Sequence, residues 1–489
     1  MINLETNEKA RKNNIQRCRE KNVIIPSLSQ MKNPNTIPEA VKERLRQTGM
    51  KAVDPVNLFR ITWKNEPEEN GGLFSGVNYL EFPEELTGVK ARIIALLGKW
   101  FPIGAHKVGA AFGCLVPQLI TGRFDSTWQK AVWPSTGNYC RGGAFNSALL
   151  GCSSVAILPV GMSRERFEWL KNLAGEVIAT PGSESNVKEI FDKCRDLKRE
   201  RADVVIFNQF DEPGNYLWHH EVTGSALSDL FEFLKKKNSR LNIAGFVAST
   251  GSAGTIAAGD LLKEKYPSLK IAASEALQCP TLLENGFGSH RIEGIGDKHV
   301  PWIHNVRNTD LVIDIDDNAP VSLFRLFNEP LGRKFLINEG VPEEFALKLH
   351  LSGISGIANL LSAVKMARYY ELTEDDVVFT VLTDSSELYQ SRIREFRSLE
   401  GEYTELEAAK TFGRYLMPSA DISHMKELCY YDRKRIHNLK YFTWVEQQNK
   451  SVDELNAQWY NPEYWTDISR QAGEIDRLIE DFNKEAECI

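Results

Sequence analysis

No stretch of this 489-residue chain approaches the roughly 18 consecutive apolar residues that a membrane-spanning helix needs. The first residues, MINLETNEKARKNNIQRCREKN, are polar and hold no apolar core of a secretory leader. Eight cysteines stand singly, at 18, 114, 140, 152, 194, 279, 429 and 488, with no CxxC pair and no Cys/His spacing suited to a metal. Several of them lie in apolar stretches and read as reduced core thiols. The reading is therefore of a cytoplasmic protein with no structural metal and no membrane association. Neither sign of charge dominates: 59 basic and 66 acidic residues give a formal charge of −7. That balance leaves no electrostatic footprint for nucleic acid or an anionic lipid surface. Internal repeats and low-complexity tracts are also missing.

What is present is ordinary globular material, 42% hydrophobic and 26% charged, in a chain too long for one hydrophobic core. Short apolar runs alternate with helical patterns. ARIIALL, AVWPST, SSVAILPV, EVIATP, DVVIFNQF, NIAGFVAST, KIAASEA, LVIDID and VVFTVLTD read as strands. Between most of them lie amphipathic segments such as SRERFEWLKNLAG and VKEIFDKCRDLKRERA. Continuous apolar strands alternating with helices predict an α/β fold with parallel sheets covered on both faces. Residues 86–396 form the expected core, in two lobes of which the smaller spans roughly 130–240. Residues 1–85 read as an irregular extension with short helices, and 397–489 as a helical region rich in aromatics.

Chemistry gathers in four loops, each at an expected strand end, where open α/β sheets bind ligands. In FPIGAHKVGAAFGCL, Lys107 stands at the mouth of an apolar helix; lysines are seldom placed so without a reason. In WPSTGNYCRGGAF, Ser135, Thr136, Gly137 and Asn138 precede a helix, giving hydroxyls and free N–H groups that suit a carboxylate or serve as a plain N-cap. In VASTGSAGTIAAGDLL, Gly251, Ser252, Ala253, Gly254 and Thr255 open a helix after a strand, a turn that admits a phosphate. It lacks the lysine of a P-loop and the full GxGxxG pattern, which argues against a nucleotide. In VVFTVLTDSSELYQSR, Asp384, Ser385 and Ser386 end the last strand.

In that order, the four loops resemble those of the fold-type II pyridoxal-phosphate enzymes, the group of cysteine synthase, cystathionine β-synthase and the tryptophan synthase β-subunit. The likeness runs from about 89 to 396. NQFDEPGNYLWHHEVTGSAL, RIEGIGDKHVP and SGISGIANLLSAVKMA match further family segments, and the cysteine synthase and cystathionine β-synthase branch fits best. The resemblance implies two α/β lobes with pyridoxal 5′-phosphate in the cleft between them. Lys107 would form the Schiff base and act as base, its apolar setting keeping the amine unprotonated. Gly251, Ser252, Ala253, Gly254 and Thr255 would hold the phosphate, Asn138 the ring hydroxyl and Ser385 the pyridine nitrogen. Ser135, Thr136, Gly137 and Gln209 would take the substrate carboxylate.

A neutral serine at the ring nitrogen favours loss of a β-substituent over transamination. The implied reaction is β-elimination or β-replacement on cysteine, serine or an O-activated serine, through an aminoacrylate intermediate. Its alternatives are a lyase that deaminates serine, threonine or diaminopropionate, and a cofactor-binding subunit without turnover. The tail suits a homodimer. Three residues depart from the family pattern: Ala253 where glycine is usual, and Tyr139 and Cys140 after Asn138. The acidic residue that activates indole in tryptophan synthase has no counterpart in PSTGNYCRGG.

Overall fold

The computed structural model describes residues 1–135, 137–162, 164–182, 187–296, 298–417 and 421–487. Its strands are β1 (Tyr79–Phe82), β2 (Arg92–Leu97), β3 (Lys130–Pro134), β4 (Ser153–Pro159), β5 (Glu176–Thr180), β6 (Val204–Ile206), β7 (Asn242–Ser249), β8 (Lys270–Ala276), β9 (Leu311–Ile315), β10 (Asp376–Leu382) and β11 (Met425–Glu427). They form two sheets: seven strands in the order β1-β2-β10-β7-β8-β9-β11, and four in the order β5-β4-β3-β6. Every pairing is parallel except those of the two edge strands β1 and β11 of the large sheet. The architecture is the expected α/β class with two sheet-based lobes. Among the described residues no helix is long and apolar enough to cross a membrane, and no group of three or more His, Cys, Asp or Glu side chains could hold a metal ion.

Both edge strands lie in the flanks, which the sequence reading took to be irregular or helical. β1 pairs Tyr79–Phe82 with Leu96–Ile93, and β11 pairs Met425–Glu427 with Ile313–Leu311. Each is short and semi-polar, as edge strands tend to be, so neither carries the apolar run that marks a central strand.

The helix Lys107–Ile120 is buried along almost its whole length, which its all-round apolar sequence requires. It packs against the helices Asn138–Leu149 and Pro213–Trp218. Two glycines set the second contact. A Cβ on Gly113 would fall 2.2 Å from the Gly214 oxygen, and one on Gly214 would fall 2.1 Å from the Gly113 oxygen. Neither position tolerates a side chain at this spacing, and the close approach fixes Lys107 relative to the 209–215 segment.

The tail is anchored by an ion. Lys440 is fully buried and donates to Trp302 O at 2.9 Å, His304 O at 2.7 Å and Gln458 Oε1 at 2.7 Å. Burial pushes its pKa down, yet three oxygen acceptors match the three N–H groups of the ammonium form. Trp444 Nε1 adds a 2.8 Å bond to Val300 O. Lys440→Met strands three buried acceptors, and a loss of about 2–4 kcal/mol is expected in denaturant unfolding; an unchanged midpoint contradicts the anchor.

A second buried pair makes stability pH-dependent. Glu275 and Asp314 lie opposite each other on β8 and β9. Glu275 accepts from the Leu282 and Leu283 amides. Burial, and for Asp314 the adjacent Glu275 carboxyl, push both pKa values up. Raised carboxyl values mean that the folded state binds a proton the unfolded chain has released. The contribution is complete below the ordinary carboxyl value of about 4 and is lost as pH rises through the raised values. Between about pH 5 and pH 8 the protein should therefore lose more stability than Asp314→Asn, compared by denaturant melts; parallel losses refute the raised Asp314 carboxyl.

Candidate active site

Five loops leave the carboxyl ends of parallel strands and meet in one cleft. It is lined by His106, Lys107, Ser135, Asn138, Tyr139, Gln209, Phe210, Gly251, Ser252, Gly294, Ile295 and Thr383. The segment with Lys107 follows β2, Ser135–Asn138 follows β3, Gln209 follows β6, the glycine turn follows β7 and Thr383 follows β10. Such crevices outside the carboxyl ends of strands are where this class of sheet binds ligands.

Lys107 Nζ donates to Ser252 Oγ at 2.8 Å and to Gln209 Oε1 at 3.2 Å. Gln209 in turn reaches Ser135 Oγ at 3.4 Å, and that oxygen accepts from the Gly137 amide at 3.0 Å. Asn215 ties the two sides together, donating to Gln209 O at 2.8 Å and Ser252 Oγ at 3.1 Å. A hydroxyl and an amide oxygen thus accept from the amine.

In the glycine turn, Ala253 adopts φ +60°. That is the left-handed region, costly for any residue with a Cβ, which accounts for the family's glycine at this place. The amides of Ser252, Ala253 and Thr255 make no hydrogen bond among the described residues. They stand at the start of the helix Ala257–Lys265, the arrangement that receives an anion.

His106 is buried behind Lys107 and stacks on Trp63, ring centroids 5.9 Å apart. Its Nδ1 lies 3.1 Å from Thr383 O and its Nε2 3.1 Å from Thr255 Oγ1. A carbonyl can only accept, so Nδ1 carries the proton and Nε2 accepts from the Thr255 hydroxyl. Burial first, then the Lys107 charge, lower its pKa to about 3. The imidazole is a neutral strut between the phosphate-type turn and the end of β10.

The opposite wall is ionic. Asn138 Nδ2 donates to Asp384 Oδ2 at 2.6 Å, and the Tyr389 hydroxyl donates to the same oxygen at 2.8 Å. Arg166 reaches Tyr389 Oη at 3.2 Å and Glu293 Oε2 at 2.6 Å, and Arg392 Nε holds Glu293 Oε1 at 2.7 Å. Burial raises the Asp384 pKa, opposed by Arg166, Tyr389 and Asn138. Asn138 Oδ1 is buried without a hydrogen-bond partner among the described residues.

Of the residues singled out in the sequence, Lys107, Ser135, Asn138, Gln209, Gly251 and Ser252 line the cleft. Gly137, Ala253, Gly254 and Thr255 complete the same two turns behind it. Ser385 is buried next to it, while Thr383 is the residue of that turn that faces the cleft. Thr136 lies outside the described residues. Tyr139 is buried beside Trp133, and the Cys140 thiol donates to Gly137 O at 2.8 Å. The reading missed His106, Thr383 and the Arg166–Glu293 pair. Thr383 and Glu293 sat within loops already quoted, whereas nothing local marks Arg166, which comes from the helix Arg164–Leu173.

Residues 91–329 match the model of a family described as pyridoxal-phosphate dependent enzyme. A cysteine synthase of Staphylococcus aureus is 31% identical over 261 residues, 53% of this chain and 75% of that protein. The cystathionine beta-synthase of Saccharomyces cerevisiae is 26% identical over 313 residues, covering 62% of this chain and 58% of its own. An O-acetylserine dependent cystathionine beta-synthase of Helicobacter pylori has a similar fold, with a TM-score of 0.53 at 23% identity over 64% of this chain and 94% of that one. A hydrogen sulfide-producing enzyme of Fusobacterium nucleatum gives 0.54 at 22%, over 64% and 95%. The site fits the family's cofactor, with a lysine amine in the cleft and, opposite it, glycine-turn amides that make no hydrogen bond among the described residues. The chain belongs to the pyridoxal-phosphate dependent enzymes of the cysteine synthase type.

Proposed function

We propose that the protein catalyses β-elimination or β-replacement on a small L-amino acid: cysteine, serine or an O-activated serine. The observation that carries the reading is the single position of Lys107 Nζ, bonded at once to Ser252 of the phosphate-type turn and to Gln209 of the carboxylate loop. Bound pyridoxal phosphate supplies the electron sink that acidifies the α-hydrogen and labilises the β-substituent.

The chain's own residues then divide the work. Lys107 carries the cofactor and moves the α-proton, its amine oriented by two neutral oxygens. The amides and hydroxyls of Gly251–Thr255 hold the phosphate. Ser135, Thr136, Gly137 and Gln209 take the substrate carboxylate. Asn138 meets the ring hydroxyl, and Ser385 is assigned to the ring nitrogen as a neutral partner. Tyr139, Phe210 and Ile295 close the cleft against water and bound the space for the β-group. The names of the relatives, cysteine synthase and cystathionine beta-synthase among them, support sulfur-bearing substrates.

A homodimer belongs to the same proposal. Tyr430, Tyr431, Phe442 and Tyr460 are exposed on the tail and give it apolar surface to bury.

The purified protein with pyridoxal phosphate should show a visible absorption band that Lys107→Ala lacks. Offered L-cysteine, L-serine and O-acetyl-L-serine in turn, it should expel the β-group of at least one, and Lys107→Ala should lose at least about a thousandfold in rate. Keto acid and ammonia formed with no thiol or sulfide acceptor would instead assign the deaminating lyase. A protein that takes up no cofactor overturns the reading.

A further inference from the structure

We propose that Asp384 is a positioning residue of the cofactor site: its carboxylate fixes the amide of Asn138 so that one N–H of that amide is presented to the cofactor's ring hydroxyl. The inference rests on the assignment of Asn138 to that hydroxyl.

A primary amide can turn either its oxygen or its NH2 group toward a ligand, and the two ends have opposite hydrogen-bonding character. An ionised carboxylate only accepts. Asp384 Oδ2, 2.6 Å from Asn138 Nδ2, therefore selects the orientation in which nitrogen faces the carboxylate. One N–H is used in that bond, and the planar amide then sets the direction of the other.

The carboxylate is itself held in place. Asp384 is fully buried, and Oδ2 also accepts from Tyr389, whose oxygen accepts from Arg166, whose guanidinium is paired with buried Glu293. Arg141 on the first turn of the helix Asn138–Leu149 and Glu387 beyond the turn add their charges to this neighbourhood. The second oxygen, Oδ1, is buried against Gly353, where a Cβ would come within 1.9 Å of it. Glycine at 353 thus leaves the space that this oxygen occupies.

The fold uses Asp384 through its main chain. Its carbonyl accepts from the Gly353 amide at 3.2 Å, and its backbone forms a bridge with Ala105, two residues before Lys107. Neither contact involves the carboxylate, so both survive substitution of the side chain. A bond that strong, between an ionised acceptor and an amide in a buried wall, is expected to carry more weight than a neutral one.

The test is the visible absorption spectrum and the pyridoxal-phosphate dissociation constant of the full-length protein and its variants at one pH, with thermal melting as the check on folding. Asp384→Ala should move absorbance from the visible band to the near-ultraviolet and weaken cofactor binding about tenfold. Asp384→Asn, whose amide oxygen still accepts from Asn138, should stay within about twofold of the parent protein. In an Asn138→Ala background, Asp384→Ala should have no further effect, because the two residues act as a unit. If Asp384→Ala does not fold, Asp384→Ser, shortened but polar, gives the same readout. A parent-like spectrum and affinity in Asp384→Ala overturn the proposal, as does an Asp384→Asn variant no better than Asp384→Ala, or a full effect in the Asn138→Ala background. A parent protein with no visible band at all overturns the assignment of Lys107 and this inference with it, whereas a normal parent band with an unaltered variant overturns this inference alone.

Discussion

A lysine amine at the mouth of a cleft has to be aimed, and here one hydroxyl oxygen and one amide oxygen from different loops aim it. Ser252 and Gln209 hold Lys107 Nζ from two directions, one from the large sheet and one from the small. Neither sheet alone places both. The reciprocal glycines Gly113 and Gly214 are the steric counterpart, since they bring the lysine's helix close to the segment that bears Gln209 and Asn215. Neutral His106 completes the arrangement by joining Thr255 to Thr383 without adding a positive charge beside the amine.

The other wall of the cleft follows the opposite rule. Arg166, Glu293, Arg392 and Asp384 are charged and largely withdrawn from water, each with a partner of opposite sign or a strong donor. Buried ion pairs of this kind add little net stability, because desolvation offsets their attraction. What they contribute is direction. Arg166 comes from the small lobe, Glu293 and Tyr389 from the large, so the pair holds the two lobes in one relation across the Ser135–Asn138 turn. The guanidinium packs directly on Gly137, where a Cβ would sit 2.7 Å from it.

The five inner strands of the large sheet and the four of the small one were legible in the sequence, because parallel strands are continuous apolar runs. Lys107 and the glycine turn were legible too, since their chemistry is local: a charge where apolar residues belong, and small residues where a strand meets a helix. The edge strands of the large sheet were not. Tyr79–Phe82 and Met425–Glu427 owe their conformation to the neighbour they pair with rather than to their own pattern. Arg166 was equally hidden, reading as one more polar residue on an amphipathic helix. Only tertiary structure brings it 127 positions along the chain to Glu293. Residues that act through contacts distant in sequence leave no local period to read.

The same reasoning bears on the tail, whose composition suggested an appended helical region. Trp444 stacks edge-on against Phe191 and His299, with ring centroids 6.0 and 5.5 Å apart, and His299 lies 5.0 Å from Phe210. Lys450 pairs with Asp211 at 2.8 Å, and Lys440 caps two carbonyls of the 302–304 segment. Phe210 lines the cleft and Asp211 follows it, two residues from Gln209. The tail therefore grips the loop that holds one of the two oxygens on Lys107. Trp444 and Lys450 thus contact the segment 209–211 or the rings packed on it, and Gln209 at its start accepts from the amine. Packing of aromatic rings at this density transmits displacement because it leaves no space to absorb it, and so the geometry of the cleft includes residues more than 230 positions away from Gln209 in the chain.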